Sequence, residues 1–419
     1  MIDPRTTSTR DARAGDRSSR GGSSRLGLLR DLSDQTVLQV IFRHGPITRP
    51  EIASAASLSK PTVSAAISRL EQEGLVRADG ARSGQRGRSP LTYVVSDRAG
   101  CVVGCDIGGT TIRVAAADLF GEPIADVSAA TPKGSSRAVA RQLAEMIAET
   151  IASAEVAAGP VLALGLSVPG VVDQATGRVT SLAYNVAPEG SFDPVATIRE
   201  RFDLPVLVDN DVNLAALGER WFGLARGVST MVFIAVGAGV GMGMMIDDDL
   251  IRGAHGAAGE IGYLPLVADP FSPDHRLHGG LEDEVAAAGI VAAYERGRGS
   301  KDRPATSAED VFARAGDGDA AARQVVDDVA ARLGMAIAIV CAVMDPALVV
   351  LGGGIGSNPM LLSSVRGVAA SLLPITARIE ATALGDRAAL RGALASALRA
   401  ARDRLLAPGP LTGSVRGSA

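Results

Sequence analysis

An α/β body preceded by a small, mostly helical module is the architecture this sequence predicts, and three observations predict it. From Cys101 onward, short apolar runs alternate with Ala-rich helical stretches, the pattern of strands and crossover helices. Three of those runs end in glycine turns: Asp106-Ile107-Gly108-Gly109-Thr110, Gly237-Ala238-Gly239-Val240-Gly241 and Gly352-Gly353-Gly354. About a hundred residues precede the first of them, with a composition of their own.

The chain has 419 residues, enough for two or three domains with sizeable cores. Aromatics make up only 3%, so those cores must be built from Ala, Val, Leu and Ile. The net charge of −4 hides an asymmetry. Up to Arg98 there are 16 Lys and Arg against 10 Asp and Glu, which leaves 26 against 36 for the rest. A basic head on an acidic body suits a nucleic-acid contact confined to the head, although a solvated basic tail would give the same count. Cys101, Cys105 and Cys341 form no even framework, which fits a reducing cytoplasm. The N-terminus lacks the apolar segment of a secretory signal, and the longest apolar run, Met231 to Ile246, is short and glycine-rich for a membrane span. A cytoplasmic protein with no membrane partner is expected.

Residues 1–30 carry seven arginines among Ser, Thr and Gly and are expected to be a disordered basic arm. Helical periodicity begins near Ser33 with Val37, Leu38, Ile41 and Phe42, and Gly45-Pro46 stops it. Thr48-Arg49-Pro50-Glu51 reads as a capping box with Pro in the first turn, and Ser59 caps a second helix opening Lys60-Pro61-Thr62-Val63. Val63, Ile67 and Leu70 form its buried stripe; Lys60, Thr62, Ser64, Ala65, Ser68 and Arg69 lie opposite. That polar face suits a DNA major groove. Two strand-like pieces, around Val76–Ala78 and Leu91–Val95, flank a loop with Arg86 and Arg88 near its tip. Residues 31–98 therefore read as a winged helix-turn-helix. Thr48, Ser59, Lys60, Thr62, Ser64, Arg69, Arg86 and Arg88 are its candidate contacts to a double-stranded operator, with a structural or protein-docking module as the competing reading.

In the body, Cys101–Asp106, Ile112–Asp118 and Pro123–Ser128 read as strands, followed by a helix over about Ser135–Ala157 and a strand at Val161–Leu166. Val206-Leu207-Val208 leads into Asp209-Asn210-Asp211, Met231–Val236 into the second glycine turn, and Ala347–Leu351 into the third. A strand that opens into glycines can turn backbone N–H groups toward a phosphate. Transferring a phosphoryl group to a hydroxyl also needs a carboxylate base, for which Asp211 is a candidate. Asn210, Glu260 and Glu282 offer the polar contacts that distinguish hydroxyl stereochemistry.

These motifs resemble the ROK (repressor, open reading frame, kinase) family of the sugar kinase/actin/Hsp70 fold over about residues 33–400, including the winged-helix head of the family's repressors. The resemblance implies a two-lobed actin-like body: residues 99–208 with 386–407 as a small lobe, 209–385 as a large lobe, and 408–419 as a disordered tail. It implies nucleotide contacts at Asp106, Gly108, Gly109, Thr110, Thr111, Gly237, Gly239, Gly241, Gly353 and Gly354. It further implies sugar contacts at Asn210, Asp211, Glu260 and Glu282, and Tyr263, which departs from the family pattern, is a candidate to add a hydroxyl beside them.

The sequence also departs from the family pattern. Thr111 stands where the kinases usually have Lys, and Ala238 where the second loop usually has Thr. Tyr263 replaces a zinc-binding His, and Pro273, His275 and Gly280 stand at the three zinc-binding Cys positions. Zinc needs about four N or S ligands, so His275 and His278 are too few and no structural zinc is expected.

A sugar-responsive transcriptional regulator follows, read as a repressor of carbohydrate genes, with a small sugar effector and a homodimer or higher oligomer on DNA. The alternative is an ATP-dependent sugar kinase with magnesium, Asp211 as its base and the DNA-binding head as an addition. A degenerate scaffold that binds neither ligand is the third possibility.

Overall fold

The computed structural model describes residues 19–81, 90–133, 135–173, 176, 179–182, 194–275, 279–299, 303–375 and 377–406. The chain divides into two compact units, Met1–Ala99 with Arg402–Ala419, and Gly100–Ala401.

The first unit contains α1 (Ser19–His44), β1 (Ile47–Thr48), α2 (Arg49–Ala56), α3 (Lys60–Gln72), β2 (Val76–Ala81) and β3 (Leu91–Val95), the strands pairing in the order β1-β3-β2. Val37, Leu38, Ile41, Ile52, Val63, Ile67, Leu70 and Tyr93 are buried together as its core. Ser59 caps α3 by accepting the Thr62 N–H at 3.3 Å. Glu51 reaches back to the Thr48 N–H at 2.9 Å, so the expected capping contact forms. Helix α1 already begins at Ser19, inside the stretch read as a loose arm; once its later turns pack, each earlier residue adds a hydrogen bond at little further cost. Arg402, on the last helix, lies in this unit, with its guanidinium 5.3 Å from the Phe42 ring centre.

The second unit repeats one sheet plan. In the first sheet, β4 (Cys101–Ile107), β5 (Thr111–Asp118) and β6 (Pro123–Ala130) form an antiparallel meander. Helix α4 (Ser136–Ala158) then returns the chain to β7 (Val161–Val168). A small pair, β8 (Gly170–Val172) and β9 (Val179–Leu182), and helix α5 (Pro194–Arg201) lead to β10 (Val206–Asn210). The order is β10-β7-β4-β5-β6, with the β10 and β7 pairs parallel. After α6 (Asp211–Phe222), the second sheet does the same with β11 (Thr230–Val236), β12 (Val240–Ile246) and β13 (Asp249–Leu250). Helices α7 (Gly280–Val285), α8 (Ala287–Gly297), α9 (Ala308–Asp317) and α10 (Ala320–Met344) precede β14 (Leu348–Gly352). Helices α11 (Gly353–Gly356) and α12 (Pro359–Leu372) then precede β15 (Arg378–Ala381). Its order is β13-β12-β11-β14-β15. The first two glycine turns therefore occupy the same hairpin in each half.

Strand alternation decides what each face meets. Cys101, Val103, Cys105 and Ile107 pack toward α4, and Val232, Ile234 and Val236 toward α10 and α12. The opposite faces meet α6 and α13 (Ala388–Leu406), and glycines make that fit possible. Gly104 and Gly165, paired in register, sit against Leu394 and Ala393, where a Cβ on Gly165 would fall 2.0 Å from the Ala393 carbonyl. A Cβ on Gly392 would stand 1.7 Å from the Leu214 carbonyl, so α6 and α13 cross with backbones nearly touching. Among the described residues, no helix is long and apolar enough to cross a membrane.

Candidate functional site

The C-terminal edge of the first sheet gathers polar residues by register alone. Asp106 on β4 pairs with Ser167 on β7, and Ser167 with Asp209 on β10, so the three side chains share one face. Asp106 is 6% exposed, and its Oδ1 accepts the Ser167 hydroxyl at 2.8 Å. Burial pushes its carboxyl above the usual range, and the Ser167 bond and Arg113 pull the other way. Arg113, directly opposite on β5, stands 3.6 Å from Asp106 Oδ2 and 2.6 Å from Asp386. Asp209 is held by Arg252 at 2.7 Å and by the Asn213 amide at 3.1 Å. Sequence pattern does not mark Ser167, Arg113, Arg252 or Asp386, because their partners come from distant segments.

Beyond β10 the chain turns straight into α6. Asn210 is its N-cap, accepting from the N–H groups of Val212 at 2.9 Å and Asn213 at 3.2 Å, while its amide donates to the Gly170 carbonyl at 3.2 Å. The residue expected to hold a sugar hydroxyl is thus engaged in orienting the helix. Asp211, its first residue, is half-buried, and its carboxyl is pushed up to about 7. Burial is the main cause, followed by the negative charge of Asp106, and the Val212 N–H opposes the shift. Glu260 also raises it, and the charge of Glu282 raises Glu260 in turn after the larger effect of burial. Asp106 and Glu260 thus act directly on the Asp211 carboxyl, and Glu282 acts on Glu260.

A raised carboxyl pKa has a definite sign in stability. Between the unfolded value near 4 and the folded value near 7, the native state binds the proton more readily. The stabilisation is therefore present in acid and lost as pH rises through 7. Asp211→Asn is expected to raise the melting temperature progressively more from pH 5 to pH 8, on the order of 2 kcal/mol across that window after allowance for partial exposure. Thermal unfolding of both proteins at four pH values checks this. An offset independent of pH would contradict the burial of an ionised Asp211.

The glycine turns are explained first by backbone packing. The first hairpin closes by a bond from Gly108 N to Thr111 O at 3.0 Å, and Thr131 Oγ1 adds a bond to Gly108 O at 2.7 Å. The second closes from Gly237 N to Gly239 O at 3.0 Å, and Glu282 Oε2 accepts the next N–H, from Val240, at 2.8 Å. Register between β11 and β14 brings Gly352 beside Ala235, so the Gly353-Gly354 turn abuts Gly237. Gly353 has φ +78°, and a Cβ there would fall 2.3 Å from the Val236 carbonyl. Gly239 and Gly241 lie against Glu282 and Val212. Gly109 and Thr110 are exposed at the first hairpin, and Thr111 is half-buried. Tyr263 is 53% exposed at the end of a short 3₁₀ turn after Glu260. His275 pairs with Asp283 at 3.0 Å, and His278 lies outside the described residues.

In the head, Ser59, Lys60, Pro61, Ala65 and Ser68 are exposed along α3, with Thr62 and Ser64 half-buried beside them. Thr62 shares a hydroxyl contact of 2.7 Å with Ser59. Two candidates point elsewhere. Thr48 is 5% exposed, with its hydroxyl on Glu51 at 2.8 Å. Arg69 makes a two-pronged ion pair with Asp34 of α1, its Nε at 2.7 Å. Both serve the head's own structure: the buried Asp34 carboxylate takes Arg69, and the capping box with Glu51 takes Thr48. Arg86 and Arg88 lie outside the described residues.

Residues 102–400 match the model of the ROK family, and residues 30–77 that of a winged helix-turn-helix DNA-binding domain. The chain is 28% identical to a xylose repressor of Caldicellulosiruptor bescii over 88% of this chain and 96% of that protein. It is 32% identical to a glucokinase of Halalkalibacterium halodurans over 63% of this chain and 83% of the other. Among solved structures, a ROK hexokinase from Thermus thermophilus superposes with a TM-score of 0.60 at 30% identity, covering 72% of this chain and 99% of that one. A ROK family transcriptional regulator, a homolog of the Escherichia coli MLC protein, covers 90% of this chain and 98% of its own with a TM-score of 0.69. At 23% identity that likeness speaks for the fold alone. The repressor and the regulator cover 88% and 90% of this chain, the glucokinase and the hexokinase 63% and 72%. The chain belongs to the ROK family and carries a winged helix-turn-helix ahead of its two-lobed body.

Proposed function

We propose that this protein is a sugar-responsive transcriptional regulator, a repressor of carbohydrate genes, whose effector occupies the cleft around Asp211, Glu260 and Glu282. One observation carries the reading: a single chain joins a helix with an outward face of small polar residues to a body whose linked carboxylates suit a polyhydroxy ligand. Asp211, Glu260 and Glu282 bind sugar hydroxyls in this reading, and Asn210 acts by fixing the start of α6. Lys60, Ser64, Ala65 and Ser68 face the major groove. Effector binding changes the angle between lobes and thereby the spacing of paired heads, which calls for a homodimer on a pseudo-palindromic operator. The test is fluorescence anisotropy of the full-length protein on DNA from upstream of neighbouring sugar-uptake genes, with a panel of pentoses and hexoses. Release by one sugar class supports the reading; absence of DNA binding with and without every sugar overturns it.

The relationship to a glucokinase and a hexokinase favours a second reading, an ATP-dependent sugar kinase with a DNA-binding head. Asp211, with a carboxyl near 7, is matched to taking a proton from a hydroxyl at neutral pH, while Thr111 and Ala238 lack the family's phosphate-side groups. Turnover with ATP and magnesium that disappears in Asp211→Asn would establish this reading, and no turnover on any sugar would end it.

A further inference from the structure

The first glycine hairpin lacks a lysine at position 111, yet a cation stands beside it. Thr111 and Arg113 lie two residues apart on β5 and so share one face of the strand. Arg113 is the register partner of Asp106, and its Nη1 lies 3.9 Å from where a Cβ on Gly108 would stand. Its side chain is 16% exposed, so the guanidinium is held in place. Its two ion pairs are unequal. Asp106 is buried, shared with Ser167 and at 3.6 Å, whereas Asp386 is close at 2.6 Å but 75% exposed. A pair with so exposed a partner contributes little and exchanges readily for a better acceptor. A phosphoryl group is such an acceptor, because its oxygens match the guanidinium fork two at a time.

We propose that Arg113 is the phosphoryl-binding cation of the first hairpin, latched by Asp386 until a phosphorylated ligand displaces that carboxylate. The proposal rests on reading the cleft as a ligand site, and it adds a chemistry that the carboxylate group alone does not supply. Either the phosphates of a nucleotide or the phosphate of a sugar ester would satisfy it.

Calorimetric titration of the full-length protein separates these sources, with ATP and magnesium, a panel of hexose 6-phosphates and inorganic phosphate as probes. At least one phosphorylated probe is expected to bind the wild type, with Arg113→Ala weakening it about tenfold or more and Asp386→Asn tightening it about threefold. Arg113→Lys should retain part of the affinity and keeps the test informative if Arg113→Ala fails to fold. Failure of every phosphorylated probe to bind the wild type overturns the proposal, as does an Arg113→Ala or Arg113→Lys protein with unchanged affinity. Sugar-induced release of DNA, measured on the same preparations, tells this failure from failure of the regulator reading. Release without phosphorylated-probe binding sinks only the role of Arg113.

Discussion

Ala65→Glu is expected to abolish specific DNA binding by the full-length protein, with an affinity loss of about 100-fold or more at moderate salt. Ala65 is exposed one turn beyond Pro61 on α3, between Lys60 and Ser68, and its Cβ is the whole of its side chain. A residue so small lets the helix backbone approach base edges closely. Glutamate there adds length where there is none to spare and a negative charge facing the phosphates. The substitution leaves the fold alone, because the position is exposed and Glu is a good helix former. Melting temperature and sugar binding should therefore stay at wild-type values while anisotropy on operator DNA is lost. Lys60→Ala makes the contrast: a milder loss, similar on all sequences, with the salt slope reduced by about one. Wild-type affinity in Ala65→Glu would show that α3 is not the reading helix.

What the sequence made legible was local. The strand entering Gly108, the helix opened by Ser59 and the step from Val208 into Asp211 each carry their signal within a few neighbouring residues. Facing was harder wherever a partner lay far along the chain. Arg69 looks like an outward cation by helical spacing, but Asp34, thirty-five residues earlier, captures it. Asn210 looks like a sugar ligand by its company, and the N–H groups two and three residues later claim its oxygen. The row from Asp106 through Ser167 to Asp209 exists only because three strands from separate segments align, and Arg113 meets Asp386 across 273 residues of sequence. The glycines that let α6 cross α13 give no sign in sequence of the carbonyls they approach.

Glu219 stands in the sequence as one acid in a helix. It is fully buried, with its four acceptor contacts all to neutral donors. Oε1 accepts from the Thr382 hydroxyl and from the N–H groups of Ala383 at 3.1 Å and Leu384 at 3.4 Å; Oε2 accepts from Leu224 N at 2.8 Å. Gly223 must lack a side chain, since a Cβ there would fall 1.9 Å from that oxygen. One carboxylate thus ties the end of α6 to the segment that leads from β15 to Asp386, and hence to Arg113 and the first hairpin. Glu219→Gln keeps the shape but turns an NH₂ toward backbone N–H donors, leaving buried polar groups unpaired. The expected loss is about 3–5 kcal/mol of stability, far above that of a surface acid. Denaturant unfolding of the full-length protein measures it, and effector affinity should fall as well, since Asp211 opens the helix whose other end Glu219 fixes. If Glu219→Gln unfolds at the wild-type midpoint, water or a rearranged loop satisfies those donors and the carboxylate is not what holds the two segments together.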